Sequence, residues 1–399
     1  MTTATHTIPG TRAGAAAPAA PADHAAARLA VTRLDLCNFR NYASLRLEVE
    51  ARPVVLTGPN GAGKTSLLEA LSFLAPGRGL RHARASEVGR LEAGGGGWTM
   101  AARIASPDGQ ISLGTGRDPD GGQAARRLVR VNGTPARAQA ALAECLSVVW
   151  LTPEMDRLFE DGAATRRRFF DRLVVGLDPA HAGRVQAYDR ALRERARLLR
   201  DGARDPAWLD ALEERMATEG VAIAAARREA AARLDALARD VTGPFPGAAL
   251  AIEGEVEAWL DDRPALAAED RLRQALAASR ARDAEAGGAG HGPHRSDLRV
   301  RHLAMDRAAA LCSTGEQKAL LVAIVLAHAR LLAAARGAAP VLLLDEVAAH
   351  LDEVCRRALF ERLAELGVQA WLTGTDAGLF APLGAWAQFL TVAEAAVAA

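Results

Sequence analysis

The sequence predicts an α/β fold with a mixed β-sheet, an antiparallel β-subdomain and an inserted α-helical lobe. Residues 54–56 form a short apolar run that leads into a glycine-rich loop and then a helical pattern, the order strand, loop, helix. Short alternating segments at 98–131 are separated by turn sequences, which is typical of antiparallel strands. Strand patterns are absent from 171–292 and return after residue 297, where they alternate with helical patterns.

The predicted sheet is split in sequence, because its first strands precede the helical segment and its last strands follow it. The chain has 399 residues, of which 50% are hydrophobic, so it can bury more than one sizeable core. Residues 1–27 are rich in Ala, Pro and Thr and predict a disordered tail. The other predicted segments are the first half of a head domain at 28–170, the helical lobe at 171–292 and the second half of the head at 293–399.

Composition excludes several classes of protein. The net charge is +1, so binding to nucleic acid would require local basic patches. The four cysteines are scattered, which excludes a disulfide scaffold or a paired-cysteine zinc site. The apolar stretch at 319–335 contains His328 and Arg330 and is short for a membrane span, so it predicts a buried core helix. We therefore expect no membrane association and a cytoplasmic location.

The glycine-rich loop carries a phosphate-binding motif. Residues 58–65 read Gly58-Pro59-Asn60-Gly61-Ala62-Gly63-Lys64-Thr65, which matches GxxxxGK[ST] between a strand and a helix. Its backbone N–H groups and the start of the following helix predict an ATP site, to which Ser66 also belongs. Lys64 would contact the β- and γ-phosphates, and the Thr65 hydroxyl would bind Mg²⁺. Arginine dominates the 49 basic residues, and Lys64 is one of only two lysines.

A second motif ends a buried strand in two carboxylates. Residues 341–346 read Val-Leu-Leu-Leu-Asp-Glu, the form of a Walker B segment. Asp345 is the predicted second Mg²⁺ ligand, and Glu346 is placed to orient or deprotonate an attacking water. Lys64 and Glu346 are therefore the predicted catalytic residues.

A third motif precedes the apolar helix. It reads Ser313-Thr314-Gly315-Glu316-Gln317-Lys318 and contains the other lysine of the chain. A serine and free backbone N–H groups at a helix start can bind an anion, so the predicted nucleotide contacts here are Ser313, Thr314, Gly315 and Gln317. The segment is similar to the signature motif of ABC-type ATPases. In that superfamily the signature contacts the γ-phosphate held by the opposite subunit, which implies an ATP-dependent homodimer, with residues 349–352 as the D-loop at its interface.

Together the motifs resemble the ABC-type ATPase heads of DNA-repair and chromosome proteins, and most closely the RecF family. The similarity extends from about residue 28 to 390 and includes further segments in the same order. They are 38–42 (Asn-Phe-Arg-Asn-Tyr), 76–81 (Pro-Gly-Arg-Gly-Leu-Arg), 151–154 (Leu-Thr-Pro-Glu), 166–171 (Arg-Arg-Arg-Phe-Phe-Asp) and 292–298 (Gly-Pro-His-Arg-Ser-Asp-Leu). The resemblance implies ATP-dependent dimerisation on gapped, single-stranded or duplex DNA, and slow ATP hydrolysis that releases it. It also implies recombination mediator proteins and RecA as partners.

Three other functions are open. An ATPase subunit of a membrane transporter would carry a switch histidine, but the final core strand at 371–376 has none. A chromosome protein with coiled-coil arms would need helices far longer than about 20 residues, which rise about 30 Å. A DNA-binding scaffold without turnover is disfavoured by Glu346. The γ-phosphate sensor is not assigned by the sequence, and Glu154 is a candidate for the Q-loop position only because it lies between the head and the lobe.

Three arginine groups are candidate anion contacts, with solvated basic faces as the alternative. They are Arg78, Arg81 and Arg84; Arg166, Arg167 and Arg168; and six arginines in a helix predicted at 181–200. Arg78 could reach phosphate as an arginine finger, and the helix would suit a DNA backbone. The apolar seam predicted for that helix, against an antiparallel partner, is Val185, Tyr188, Leu192, Ala196 and Leu199.

Overall fold

The structure is a computed structural model that describes residues 29–90, 96–118, 127–202, 205–239 and 243–398. The tail predicted at 1–27 lies outside the described residues. Within the described part, the chain forms three sheets and a helical lobe, and the predicted α/β class with a mixed sheet is confirmed.

The central sheet is mixed and positions the phosphate-binding loop. Its order is β15-β14-β3-β13-β12-β8, with every neighbouring pair parallel except β14 and β15. These strands are β3 (Val54–Thr57), β8 (Val148–Leu151), β12 (Val341–Leu344), β13 (Ala370–Gly374), β14 (Gln388–Ala393) and β15 (Ala396–Ala398). Strands β3, β8 and β12 are apolar runs buried along their whole length, as expected for parallel strands covered on both faces.

The second sheet is the predicted antiparallel subdomain, in the order β2-β1-β4-β5-β6-β7. Its strands are β1 (Ala30–Phe39), β2 (Tyr42–Glu48), β4 (Trp98–Ser106), β5 (Gly109–Arg117), β6 (Leu128–Val131) and β7 (Thr134–Pro135). Buried and exposed residues alternate along most of β4, so one face of the sheet joins the core. Helix α1 (Lys64–Ser72) packs Leu67, Leu68 and Leu71 into the core shared by both sheets.

The lobe contains the remaining helices before the third motif. Short helix α2 (Ala140–Cys145) precedes β8, and the lobe itself comprises α3 (Ala163–Leu177), α4 (His181–Arg200), α5 (Pro206–Arg239), α6 (Glu255–Asp262), α7 (Ala265–Ala278) and α8 (Arg280–Ala286). Helices α4 and α5 are antiparallel, since Arg195 contacts Glu213 whereas Tyr188 lies against Gly220. The boundary predicted at residue 170 falls inside α3, which is continuous across it.

The seam predicted for α4 is correct in part, since Tyr188 belongs to the core cluster shared with α5 and Val185 and Leu192 pack against that cluster. Of its five residues only Tyr188 is buried, and the buried face consists of His181, Ala187, Tyr188, Ala191, Arg195 and Leu198. The observed buried face differs from the predicted one mainly at Arg195, whose side chain is 1% exposed and forms ion pairs with Glu213 and Asp283. A buried, paired arginine occupies a core position that an apolar pattern cannot identify.

The segment predicted to lack strands contains one. Strand β9 (Ala248–Glu253) pairs with β10 (Asp297–His302), and β10 pairs with β11 (Arg307–Ala308), which makes a separate three-stranded antiparallel sheet. The sequence of β9, Ala-Ala-Leu-Ala-Ile-Glu, is rich in alanine and has a weak strand pattern. The strand predicted at 298–303 therefore exists, but it belongs to the lobe and not to the central sheet.

Helix α9 (Thr314–Arg336) is the core helix between the sheet and the lobe, and α10 (Glu353–Leu366) follows β12. Helix α9 is long and apolar enough to cross a membrane, but 72% of its most apolar window is buried inside the protein. The prediction of a buried core helix is confirmed. His328 lies within it, and its Nε2 donates a hydrogen bond to the Leu173 carbonyl oxygen at 2.9 Å.

Candidate nucleotide-binding site

The loop at 58–65 joins β3 to α1, and close contacts require two of its glycines, Gly58 and Gly63. A Cβ atom on Gly58 would lie 2.1 Å from the Val392 carbonyl oxygen. A Cβ atom on Gly63, where φ is 115°, would lie 2.6 Å from the Tyr42 hydroxyl, which donates a hydrogen bond to the Gly63 carbonyl oxygen. Tyr42 of β2 thus holds the loop from the antiparallel sheet.

Lys64 is folded back onto its own loop. Its Nζ donates hydrogen bonds to the carbonyl oxygens of Gly58 at 2.7 Å and Pro59 at 2.9 Å, and the residue is 5% exposed. Burial lowers the pKa of Lys64, and the nearby carboxylates of Glu346 and Asp345 oppose that effect. The ammonium group is therefore held at the loop by neutral acceptors, which a phosphate could replace with charge-assisted bonds.

The two carboxylates of the second motif lie at the same sheet edge as the loop. Strand β13 separates β3 from β12, and parallel strands place their carboxyl ends together. The Thr65 hydroxyl donates to Asp345 Oδ1 at 3.1 Å, although the residues are 280 positions apart. Burial is the main cause that raises the pKa of Asp345, while the hydrogen bonds from Thr373 and Thr65 lower it.

Thr373, at the end of β13, completes this arrangement. Its hydroxyl donates to Asp345 Oδ1 at 2.7 Å and accepts a hydrogen bond from the Glu346 backbone N–H at 2.9 Å. Glu346 has φ of 52°, a left-handed conformation that is unfavourable for a residue with a side chain. Sequence reasoning missed Thr373 because a threonine near the end of an apolar strand reads as an ordinary strand residue.

A cavity of about 550 Å³ opens beside the loop. The predicted site residues that line it are Asn60, Gly61, Gly63, Lys64, Thr65, Ser66 and Glu346. Of the other predicted loop contacts, Gly58 and Pro59 accept hydrogen bonds from Lys64, and Ala62 is buried. The structure thus brings the first two motifs together around one cavity.

Three arginines make this cavity basic. Arg40, Arg81 and Arg90 line it. The Arg40 Nε donates to Glu69 Oε2 at 2.8 Å, and the Arg81 Nη1 lies 3.5 Å from the same oxygen. Glu69 of α1 is fully buried, so it fixes both guanidinium groups beside the loop. Sequence reasoning missed Arg40 and Arg90, although Arg40 lies in a segment that carried the family resemblance.

The arginine finger predicted at Arg78 is not supported. Arg78 lines different cavities, next to the lobe, whereas Arg81 lines the nucleotide cavity. The two residues lie in an irregular segment between α1 and β4, where no periodic pattern indicates which way a side chain points. The role suggested for Arg78 stays a prediction, and Arg81 is the arginine of this segment that lines the chain's own nucleotide cavity.

The third motif lies at the start of α9 and does not line this cavity. Ser313 caps the helix, accepting a hydrogen bond from the Glu316 N–H at 3.4 Å, and Ser313, Thr314 and Gly315 are exposed. The prediction that Gln317 contacts the nucleotide is corrected by the structure. The residue is 2% exposed, and its Nε2 donates a hydrogen bond to the Cys312 carbonyl oxygen at 2.9 Å. An inward-facing side chain cannot contact a nucleotide at the helix start.

The second lysine of the chain has a structural partner. The Lys318 Nζ lies 3.0 Å from Asp156 Oδ2 and the side chain is 7% exposed. Asp156 belongs to a 3₁₀ helix, Pro153–Arg157, which follows β8 and also contains Glu154. Glu154 does not line the nucleotide cavity, so its assignment to a Q-loop position stays a prediction.

Several candidate DNA contacts have partners within the protein. Arg166 pairs with Asp297 at 2.7 Å, and Arg167 donates to the Ser296 carbonyl oxygen at 2.6 Å. In α4, Arg195 is buried, Arg184 pairs with Asp178, and Arg197 pairs with Glu194. Three of the six arginines of α4 therefore already have an acidic partner, and contact between this helix and DNA stays a prediction.

The side chains at the sheet edge fit a Mg²⁺ site. Thr65 and Asp345 provide a hydroxyl and a carboxylate oxygen in contact with each other, and both are hard oxygen donors. Among the described residues, no group of three or more His, Cys, Asp or Glu side chains could hold a metal by itself. Two protein ligands suit Mg²⁺, which usually keeps waters and nucleotide phosphates as its other ligands.

The split parallel sheet, the phosphate-binding loop and the two carboxylates define an ABC-type P-loop ATPase head. The family described as "RecF/RecN/SMC N terminal domain" matches residues 30–383. A DNA replication and repair protein RecF of Mesorhizobium japonicum is 54% identical over 364 residues, covering 91% of this chain and 96% of that protein. The RecF of Rhizobium rhizogenes is 51% identical, and the match covers 92% of this chain and 98% of that protein. The chain belongs to the RecF family of DNA replication and repair proteins.

Solved structures agree on the fold. The structure described as "the recombination mediator protein RecF-ATPrS in RecFOR pathway" superposes with a TM-score of 0.80 at 21% identity, covering 94% of this chain and 99% of that chain. This match includes the lobe as well as the head. The predicted ABC-type head with an antiparallel subdomain is thereby confirmed, and the transporter alternative is not favoured.

Proposed function

We propose that this chain is an ATP-gated DNA-binding protein of replication and recombinational repair, with weak ATPase activity. The observation that carries the proposal is the convergence of Lys64, Thr65, Asp345 and Glu346 at one sheet edge, beside one basic cavity. Names of relatives that are half identical over nearly the whole chain support the repair function. A cytoplasmic location follows from the same function.

ATP and Mg²⁺ would be held by residues already arranged for them. Lys64 would exchange its two loop carbonyls for the β- and γ-phosphates, and the loop N–H groups would bind phosphate oxygens. Thr65 and Asp345 would hold Mg²⁺, which when bound neutralises charge on the phosphates. Glu346 would orient the attacking water or accept its proton.

The nucleotide site requires a second copy of the chain. Ser313, Thr314 and Gly315 are exposed and do not line their own cavity, and a Cβ atom on Gly315 would meet nothing within 4 Å. An exposed helix start of this kind can accept the γ-phosphate held by another subunit. We propose that ATP joins two copies head to head and that slow hydrolysis separates them.

The proposed partners are DNA, recombination mediator proteins and RecA. DNA would be gapped, single-stranded or duplex, and the dimer would help to load RecA at gaps or stalled forks. The support is the family, together with a solved relative described as a recombination mediator. The proposed dimer would stay on DNA as long as its ATP remains intact, and hydrolysis would release it.

Replacing Lys64 by Ala tests the proposal. The variant loses the charge-assisted contacts to phosphate, so it should lose ATP binding and ATP-dependent retention on DNA. Fluorescent-nucleotide titration and DNA-retention measurements with and without ATP read out the two effects. Arg263→Ala is the control, because Arg263 is exposed on the lobe and outside the nucleotide cavity. Unchanged ATP-dependent retention by Lys64→Ala would contradict the proposal.

A further inference from the structure

Three adjoining cavities lie along helix α4, two between the head and the lobe and one within the lobe, and together we call them the basic trough. The first, about 770 Å³, lies between residues 76–85, strands β6 and β7, and the start of α4. The second, about 830 Å³, lies between α3, α4 and the start of β8. The third, about 690 Å³, lies between α4 and α5. Arg190 lines all three, so the cavities are parts of one surface that follows α4.

The basic trough has a large local excess of positive charge. Its lining includes eleven arginines and three acids, in a chain whose net charge is +1. The arginines are Arg78, Arg84, Arg127, Arg130, Arg137, Arg168, Arg172, Arg190, Arg193, Arg197 and Arg215, and the acids are Asp171, Asp189 and Glu194. Two of these acids are already paired, Asp171 with Arg227 and Glu194 with Arg197.

Many of these guanidinium groups have no internal anion. Within the residues that the structure describes, Arg78, Arg84, Arg190 and Arg193 form no ion pair and are exposed. Arg172 is different, because its Nε is buried without a hydrogen bond and its guanidinium stacks 4.3 Å above the Trp150 ring. Burial lowers the pKa of Arg172 to about 9. A desolvated cation without a carboxylate partner is costly, which favours an anionic ligand beside it.

We propose that the basic trough binds the phosphate backbone of duplex DNA. This rests on the proposed function and names the surface that contacts the DNA. A row of arginines along one helix and across the cleft matches a polymer of phosphates better than a single small anion, and each guanidinium can donate two hydrogen bonds to a phosphate. Among the residues that the structure describes, Asp189 is the acid of the trough without an ion pair, and the Arg193 Nε donates a hydrogen bond to its backbone carbonyl oxygen.

The aromatic residues of the basic trough favour duplex over single-stranded DNA. Of the described lining residues, Phe73 and Trp150 are 1% and 3% exposed, and His82 is the one aromatic side chain that is exposed. Arg127 lies 4.9 Å above the Phe73 ring and Arg172 covers Trp150. Binding of single strands commonly uses several exposed rings on which successive bases stack, whereas the described lining exposes only the imidazole of His82. Contacts to phosphate without stacking suit a duplex.

One short segment belongs to both the basic trough and the nucleotide cavity. Residues 76–84 carry Arg78 and Arg84 into the trough and Arg81 into the nucleotide cavity, where it meets Glu69. Nucleotide contacts by Arg81 would therefore act directly on one wall of the trough. Residues 76–84 would thus connect nucleotide binding to DNA binding, as the proposed ATP dependence requires.

The test is the double variant Arg190→Ala with Arg193→Ala, measured for affinity to a blunt duplex and a single strand of equal length. Both arginines are exposed, so folding should be unaffected, and nucleotide affinity without DNA checks this. Loss of two phosphate contacts should reduce the slope of log K against log salt by roughly 2, since each contact contributes about 0.9. Duplex affinity should fall at least about tenfold near physiological salt. The matched control is Arg263→Ala with Arg271→Ala, two exposed lobe arginines outside the trough.

Four outcomes would overturn the proposal. They are an unchanged salt slope in the double variant, an equal loss in the control, single-strand affinity equal to duplex affinity in the wild type, and displacement of duplex by a polyglutamate peptide of equal charge. Charge reversal, Arg190→Glu with Arg193→Glu, is the second variant and should weaken duplex binding further. Retention of ATP-dependent dimerisation by these variants separates the trough from the proposed function. If only Lys64→Ala affects duplex binding, the trough assignment fails and the proposed function stands.

Discussion

The Thr373 hydroxyl donates a hydrogen bond to Asp345 Oδ1 at 2.7 Å and accepts one from the Glu346 N–H at 2.9 Å. One side chain on β13 therefore fixes the proposed metal ligand and the backbone of the proposed base. Thr65 donates to the same Asp345 oxygen. Because Glu346 is in a left-handed conformation, its backbone needs such a partner to stay in place.

Replacing Thr373 by Val should slow ATP hydrolysis at least about tenfold with little effect on ATP affinity. Valine keeps the shape but removes the acceptor of the part-buried Glu346 N–H, and a buried donor left unsatisfied costs about 1–3 kcal/mol. Steady-state kinetics would separate kcat from KM, and Thr373→Ser should restore kcat because it keeps the hydroxyl. Equal rates for the Val and Ser variants would show that Thr373 does not position Glu346.

Gly315→Ala should leave folding intact and weaken ATP-dependent dimerisation. An added Cβ meets nothing within 4 Å in its own chain, but it would occupy space at the exposed helix start that the partner's phosphate must approach. Thermal unfolding and sizing with ATP measure the two effects. Gly288→Ala, where a Cβ also meets nothing, is the matched control. Normal dimerisation of Gly315→Ala would argue against close approach at this position.

His328 should make the head less stable in mild acid. Burial lowers its pKa to about 4, so the folded state keeps it neutral while the unfolded state gains a proton below about pH 6.5. Its contribution is complete above pH 6.5 and is lost as the pH falls towards 4, by about 2 kcal/mol at pH 5. Urea unfolding of wild type and His328→Leu at pH 7 and pH 5 would measure this. Parallel pH dependence in the two proteins would exclude it.

Arg195→Ala should destabilise the lobe by about 3–5 kcal/mol, because it leaves Asp283 buried without its cation and Glu213 with Arg280 alone. Arg197→Ala, two residues away, is the control. Arg197 is 53% exposed and its ion pairs are on the surface, so its loss should cost about 1 kcal/mol or less. Chemical unfolding measures both variants, and similar losses would refute the buried role of Arg195.

The parts of the fold with strong local patterns could be predicted from the sequence. Strand β3, its loop and α1 combine a buried strand with the glycine and lysine spacing of the phosphate-binding motif, and β12 is wholly apolar. Prediction failed where long-range contacts decide the outcome. Strand β9 is stabilised by pairing with β10 despite its weak pattern, and Arg195 is buried because two distant acids accept it.

The residues of the candidate site also divide into those that local motifs predict and those that long-range contacts place. Lys64, Thr65 and the two carboxylates follow from motifs, whereas Thr373, Arg40 and Glu69 acquire their roles only when separate strands and helices come together. The direction of Gln317 was also decided by packing, since its side chain reaches the Cys312 carbonyl oxygen.

The central claim is that ATP joins two copies through the nucleotide site, and Glu346→Gln tests it most directly. The variant keeps the loop, Lys64 and Asp345 but removes the carboxylate proposed to act on water, so ATP should stay bound. Sizing by light scattering with ATP should show a long-lived dimer, and without ATP a monomer. A monomer in the presence of bound ATP would contradict the account.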